Sequence, residues 1–282
     1  MMRGGWIDMG EAGGLQEALD ALPERGGTVY VPAGTWEVER TVEIALREGQ
    51  HLFLVGEGRA SVLTNADTSG APLLSILGAL GQWWPDLRIT IRDLTFVGNH
   101  RSGDALVIDH PNDTLIDACS FFGHGGTAVN FLTRGTNATV RDCWMRDCRR
   151  ALAAANLHHL TLHGNQTRRL TDGQVQDEHV YIDRNCREVR IVNNHLAYGD
   201  AEGIILDGTA QHVLANNTIE GFTTGIYVLG CRDLVITCNY LHGPIGVRLA
   251  GECSGIAITG NTMINNTEAA VRFEDASGSG GH

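Results

Sequence analysis

Eight copies of one six-residue pattern recur down the chain at a nearly constant period, and a repeat of that length leaves few folds open. Each copy has an apolar residue, two variable positions, a fourth position that is mostly Asn or Cys, one more residue, and a last residue that is mostly apolar. The copies are IRDLTF, IDACSF, VRDCWM, LHGNQT, IVNNHL, LANNTI, ITCNYL and ITGNTM. Their fourth residues are Leu94, Cys119, Cys143, Asn165, Asn194, Asn217, Asn239 and Asn261, spaced 25, 24, 22, 29, 23, 22 and 22 apart. A second register runs between them: DALVID, TAVNFL, RALAAA, EHVYID, EGIILD, TGIYVL, IGVRLA and AAVRFE, apolar at the third and fifth positions. That period of two marks short strands. Two or three strands per coil, with no helix-period segment between them, predict an all-β parallel solenoid.

The Asn column then reads as a turn ladder. Asn tolerates left-handed backbone, and stacked side-chain amides hydrogen-bond from coil to coil. Cys119 and Cys143 occupy the same column and are expected to pack inside it. Ahead of the repeats, Leu15, Ala18, Leu19 and Leu22 recur at helical spacing and stop at Pro23 and Gly26-Gly27. This predicts a capping helix over 15–22, covering strand edges that would otherwise invite aggregation.

After that helix come GGTVYVPAGTW and LVGEG. In these segments the chain resembles the entry of the pectate-lyase-like, right-handed parallel β-helix superfamily, and the later coils match to about residue 276. The resemblance implies a single β-helix domain over 1–276, with 277–282 as a flexible tail or tag remnant. It does not imply one reaction, because that superfamily holds polysaccharide lyases, glycoside hydrolases, uronate epimerases, phage tail depolymerases and non-catalytic repeats.

Composition narrows the chemistry. Twenty-one basic residues, all Arg, stand against 33 acidic ones, for a net charge of −12. Without lysine there is no Schiff-base lysine, P-loop lysine or lysine general base. The acidic balance without a basic run argues against nucleic acid or an anionic membrane as partner, and leaves oligomeric state open. Seven Cys lacking CxxC pairs fit neither a zinc site nor a disulfide scaffold, so buried free thiols are expected and no metal site is assigned. The N-terminus has no apolar stretch of signal-peptide length, so the chain reads as cytoplasmic or as lacking its leader.

Aligning the second register coil on coil turns it into columns, about 4.8 Å apart per coil. The positions between the two apolar ones are expected to face outward. The first column is Ala105, Ala128, Ala151, His179, Gly203, Gly225, Gly246 and Ala270, read as a small-residue groove floor broken by one imidazole. The second carries Asn130, Tyr181, Tyr227 and Arg248; the third carries Asp183 and Asp207, with Glu178 and Glu202 sharing another. The same coil holds the one long interval, 29 residues from Asn165 to Asn194, an insertion with Arg168, Arg169, Asp172, Asp177 and Glu178. Insertions on solenoids cluster on the binding face.

Asp177-Glu178-His179 is similar to the Asp-Pro-His signature of mannuronan C5-epimerases, in which Asp and His act with a Tyr three residues earlier and an Arg from a nearby coil. Asp177 and His179 match. Gln174 stands in the Tyr position and Glu178 replaces Pro. Removing a proton alpha to a uronate carboxylate needs a neutralising cation, a base and an acid. Arg248, Arg168 or Arg169 is available for the first, His179 for the second, and Tyr181 or Tyr227 for the third. Epimerisation is read ahead of β-elimination. Two further readings stay open: a glycoside hydrolase using carboxylates from adjacent or alternate coils, and a non-catalytic carbohydrate-binding or structural β-helix. No cofactor is called for, although the acidic columns suit Ca²⁺. The partner in every case is a polysaccharide or oligosaccharide. His124 in GHGG reads as a turn residue; His158, His159 and His163 as surface residues; Trp83 and Trp84 as a cover over an early coil.

Overall fold

The computed structural model describes residues 2–3, 6–81, 84–171 and 177–274. Gln174, Asp172, Trp83 and the segment 275–282 lie outside the described residues. The chain winds as a right-handed parallel β-helix whose coils stack into three sheets, of 12, 10 and 10 strands among the described residues. The strands Leu157–His163, Gln166–Arg168 and Val180–Ile182 show one coil, supplying the first, second and third sheet in turn. Among the described residues all pairing from coil to coil is parallel, and the one antiparallel pair joins Met2–Arg3 to Trp6–Asp8.

The apolar positions of the repeat fill the space between the sheets. Ile91, Ile116, Val140, Leu162, Ile191, Leu214 and Ile236 are buried from the first sheet, facing Val129, Leu152, Val180, Ile204, Ile226 and Val247 of the third. Phe96 and Phe121 of the second sheet stack at 5.0 Å between centroids.

The Asn ladder is present. Asn165, Asn194, Asn217 and Asn239 each donate Nδ2–H to the Oδ1 of the next Asn along, at 2.9–3.0 Å. Each also reaches a backbone carbonyl of the preceding coil, such as Ile191 O from Asn217 at 2.8 Å. Cys143 enters the ladder through its backbone N–H, which donates to Asn165 Oδ1 at 3.1 Å. The left-handed residue, however, is the one before the ladder position: Asp93, Ala118, Asp142, Gly164, Asn193, Asn216, Cys238 and Gly260 all have φ between 52° and 66°. The ladder Asn is retained for its hydrogen bonds, and its predecessor absorbs the turn.

The N-terminal cap has two short helices, α1 (Met9–Ala12) and α2 (Leu15–Asp20). Asp8 caps α1 by accepting from Gly10 N–H at 2.8 Å, a standard N-cap role. Leu15, Ala18 and Leu19 bury the inner face of α2. Gln16 completes the edge strand Val42–Ala45: its Nε2 donates to Glu43 O and its Oε1 accepts from Glu43 N–H, both at 2.9 Å. One side chain thereby answers an edge peptide that no further coil pairs.

Candidate functional site

The outer face of the third sheet carries the chemistry-bearing residues. Strand register places Asn130, Ala153, Tyr181, Ile205, Tyr227, Arg248 and Arg272 in one column. All are partly solvent-accessible. Asp183, Asp207 and Glu274 also face outward beside it. The long interval lies between the strands Gln166–Arg168 and Val180–Ile182, and its described residues Asp177 and Glu178 lead onto this face.

The first column does not face outward. Ala105, Ala128 and Ala151 are buried, as are Gly203, Gly225 and Gly246. At the corner between second and third sheets two successive residues point inward, so the strict alternation fails there. Their small size answers backbone stacking: a Cβ on Gly203, Gly225 or Gly246 would lie 2.7, 2.8 or 2.6 Å from the carbonyl oxygen of the next coil. From Ala105 to Gly246 the column is packed interior, not a groove floor, and only Ala270 on the last described coil is exposed.

His179 belongs to that interior and is 3% exposed. Its Nδ1 lies 2.6 Å from Thr167 Oγ1, and its ring meets the edge of Phe222 at 4.7 Å between centroids. Burial pulls its pKa down to about 3, so it stays neutral. The expectation that it stands on an outward groove floor is corrected here: the imidazole is packed inside the coil. Asp177 points outward, away from it, and pairs with Arg149 at 3.0 Å and Arg150 at 3.2 Å.

Two clusters remain on the face. In the first, Arg150 pairs with Glu178 and lies over the Tyr181 ring at 5.4 Å, while the Tyr181 hydroxyl donates to Asp207 at 3.2 Å. Burial, then the carboxylates of Asp183 and Asp207, push the Tyr181 phenol up to about 12. Burial also raises the Glu178 carboxyl, against the pull of Arg150. In the second cluster, Arg248 lies over the Tyr227 ring at 4.5 Å and grips Glu274 through Nε and Nη2 at 2.9 and 2.8 Å. Glu202 stands 3.9 Å from the same guanidinium. Burial raises the Tyr227 phenol, and Arg248 opposes that rise. Tyr181 and Tyr227 are two coils apart, about 10 Å.

Other expectations map elsewhere. Asn130 faces out and donates to Asp104 at 2.8 Å. Arg168 sits on the second sheet, over Tyr198 at 5.0 Å, and Arg169 pairs with Asp200, so neither reaches the column. Sequence reasoning passed over Arg149 and Arg150. Arg150 pairs in register with Thr127, one coil before Glu178, and that shared position was the available signal. His124 is buried, with its pKa lowered to about 4 by burial. Trp84 covers nothing: it is 62% exposed, near His159 at 6.4 Å.

Taken together, fold and face define a right-handed parallel β-helix protein with an outward polar and aromatic column. A family model, periplasmic copper-binding protein (NosD), matches residues 88–278. The chain belongs to that family. Among solved structures it is similar to an alginate lyase from Paenibacillus sp. str. FPU-7, at TM-score 0.76 and 15% identity over 96% of this chain and 99% of that one. It is similar too to the A-module of the Azotobacter vinelandii mannuronan C-5 epimerase AlgE6, at 0.65 and 20% over 95% and 79%. The Streptococcus pneumoniae surface protein and adhesin PfbA gives 0.65 and 13% over 95% and 99%. At these identities the likeness concerns the fold alone. No curated protein matches the chain.

The copper in the family's description finds no matching donor set. No group of three or more His, Cys, Asp or Glu side chains converges among the described residues. The thiols of Cys119, Cys143, Cys186 and Cys231 turn to backbone carbonyls. Burial pushes the Cys148 and Cys186 thiols up to about 12 and 11, away from the thiolate that a metal requires. The described residues do not fit a copper centre. No helix among the described residues is long and apolar enough to cross a membrane.

Proposed function

We propose that the third-sheet face binds a uronate-containing polysaccharide along its column and cleaves it by β-elimination, in the periplasmic setting that the family's name carries. The observation behind this is the Tyr227–Arg248 pair: a phenol and a guanidinium on successive coils, 4.5 Å apart, on an outward face. A uronate carboxylate takes the place of Glu274 on the Arg248 fork, a bidentate fit. The Tyr227 phenol first passes its proton to solvent, a loss that Arg248 favours against burial; the phenolate then removes the C5 proton, and the C–H electron pair moves into an enolate whose charge Arg248 offsets. Collapse forms the C4–C5 double bond and breaks the C4–O4 bond. Tyr227 returns the proton to O4. Both tyrosines lie on one side of a ligand that follows the column. Elimination can run from one side, whereas epimerisation needs a proton returned on the other, so the geometry favours elimination. The alginate lyase and the mannuronan epimerase among the structural neighbours support the substrate class by name only.

A second reading, binding without turnover, draws support from the engagement of both central guanidinia by the chain's own carboxylates, Arg248 with Glu274 and Arg150 with Glu178. One experiment separates them: incubation with a polyuronate panel in deuterated buffer, with Ca²⁺ present or chelated, following unsaturated-product absorbance and C5 exchange by NMR. Elimination predicts unsaturated product that Tyr227→Phe and Arg248→Gln abolish. Exchange without absorbance replaces elimination by epimerisation. Neither signal on any substrate overturns the catalytic reading.

A further inference from the structure

The second sheet carries another outward strip, chemically distinct from the face just described. Register stacks Phe122, Arg146 and Arg168 on successive coils, and sets Trp144 two residues from Arg146 on the same strand. Each cation meets an aromatic face: Arg59 over Trp144 at 4.3 Å, Arg146 over Phe122 at 4.9 Å and Arg168 over Tyr198 at 5.0 Å. Phe122 and Trp144 also meet edge to face at 6.1 Å. Arg59, Arg168 and Tyr198 are exposed, and the Arg146 side chain is 40% accessible. Arg59 and Arg168 form no ion pair among the described residues, and Arg146 has Asp147 at 3.4 Å. The run ends two coils on at Glu220, which pairs with His195 at 3.1 Å.

In a chain of net charge −12 with no lysine, two guanidinia on one ladder with a third, Arg59, reaching in from the turn Gly58–Ala60 call for a reason. Stacking holds each fork flat against a ring, which reduces the entropy lost when it engages a carboxylate. The rings offer apolar faces of the kind that pack on sugar C–H surfaces. We infer that this strip is a second saccharide-binding surface, taking an acidic oligosaccharide whose carboxylates meet Arg59, Arg146 and Arg168 while its rings rest on Trp144 and Tyr198. The overall acidity disfavours the denser charge of a nucleic acid, whose long-range field this chain repels. The strip binds whether or not the third-sheet face is catalytic.

The test is calorimetric titration of the full chain carrying Tyr227→Phe and Arg248→Gln, which weakens the third-sheet face, so that the further loss on changing Arg146 and Arg168 reports the strip. The probes are an oligomannuronate hexamer, a neutral cello-oligosaccharide and an oligothymidylate. Oligomannuronate binding should persist in this background, weaken about tenfold or more on adding Arg146→Gln and Arg168→Gln, and exceed that of the neutral glycan. Trp144→Ala should weaken it comparably. If that variant fails to fold, the exposed Arg pair still decides. No oligomannuronate binding in the background, equal binding after the Arg changes, or tighter binding of the oligothymidylate each overturns the assignment. Failure of the third-sheet reading shows separately, as absent turnover in the unsubstituted protein.

Discussion

Acid should unfold this solenoid well before its carboxylates are protonated. Three imidazoles are shut inside it, His124, His179 and His212, and burial lowers them from 6.5 to about 4, 3 and 4. On unfolding each returns to about 6.5. Between the folded and unfolded values the unfolded chain holds more protons, so this stability is complete above about pH 6.5 and is lost as pH falls. Each group costs about 1.4 kcal/mol per pH unit, so at pH 5 the three together remove roughly 6 kcal/mol. That is a large share of a typical folding free energy of about 5–15 kcal/mol. Glu178, whose pKa burial raises, works in the opposite sense and offsets part of the loss. Urea midpoints measured from about pH 7.5 down to pH 5 should fall steeply below pH 6.5. In His212→Gln, which keeps an acceptor for the Val189 N–H now bonded at 3.0 Å, the slope should shrink by about a third. Midpoints that stay level across this range would refute the reasoning.

Three other outcomes are expected. Asn217→Ala leaves the Asn194 N–H without its acceptor and removes three more hydrogen bonds, from Asn194 Nδ2, to Asn239 Oδ1 and to Ile191 O, so urea unfolding should show a loss of about 3–5 kcal/mol. Gly225→Val puts its Cβ within 2.8 Å of Gly246 O, and the protein should lose at least about 2 kcal/mol or fail to accumulate in soluble form. Arg150→Gln removes the cation that holds Glu178 down, so an NMR titration should find the Glu178 carboxyl higher still.

The inward apolar residues and the ladder were legible in the sequence because they repeat, and period survives variation at single positions, whereas the coils ahead of residue 88 carry no copy of the pattern and add to the eight that it marks. Corners are different. Whether Ala128 or Gly225 faces in or out depends on how closely the next coil's carbonyls approach, which no strand pattern encodes. His179 inherited that misreading, since its column looked accessible until the carbonyl stacking was visible. The left-handed residue had a signal in Gly164, Asn193, Asn216 and Gly260, but the more uniform Asn beside it drew the assignment. Helix α1 spans four residues, too few for any period, and depends on Asp8. Arg150 carries no mark within its own strand, because its partner Glu178 comes from the neighbouring coil in register.

Parallel stacking gives the outward column a property that no single side chain carries. Tyr181, Tyr227 and Arg248 are separated by whole coils, so the intervals between them form a ruler graduated by peptide stacking. Such a ruler changes only in integral steps. Excising 194–216, one interval from ladder Asn to ladder Asn, would halve the distance from Tyr181 to Tyr227, and duplicating it would lengthen that distance by half. Gain or loss of a coil is therefore a route by which a chain of this kind can match a polymer of different repeat while keeping the coil-to-coil stacking in register.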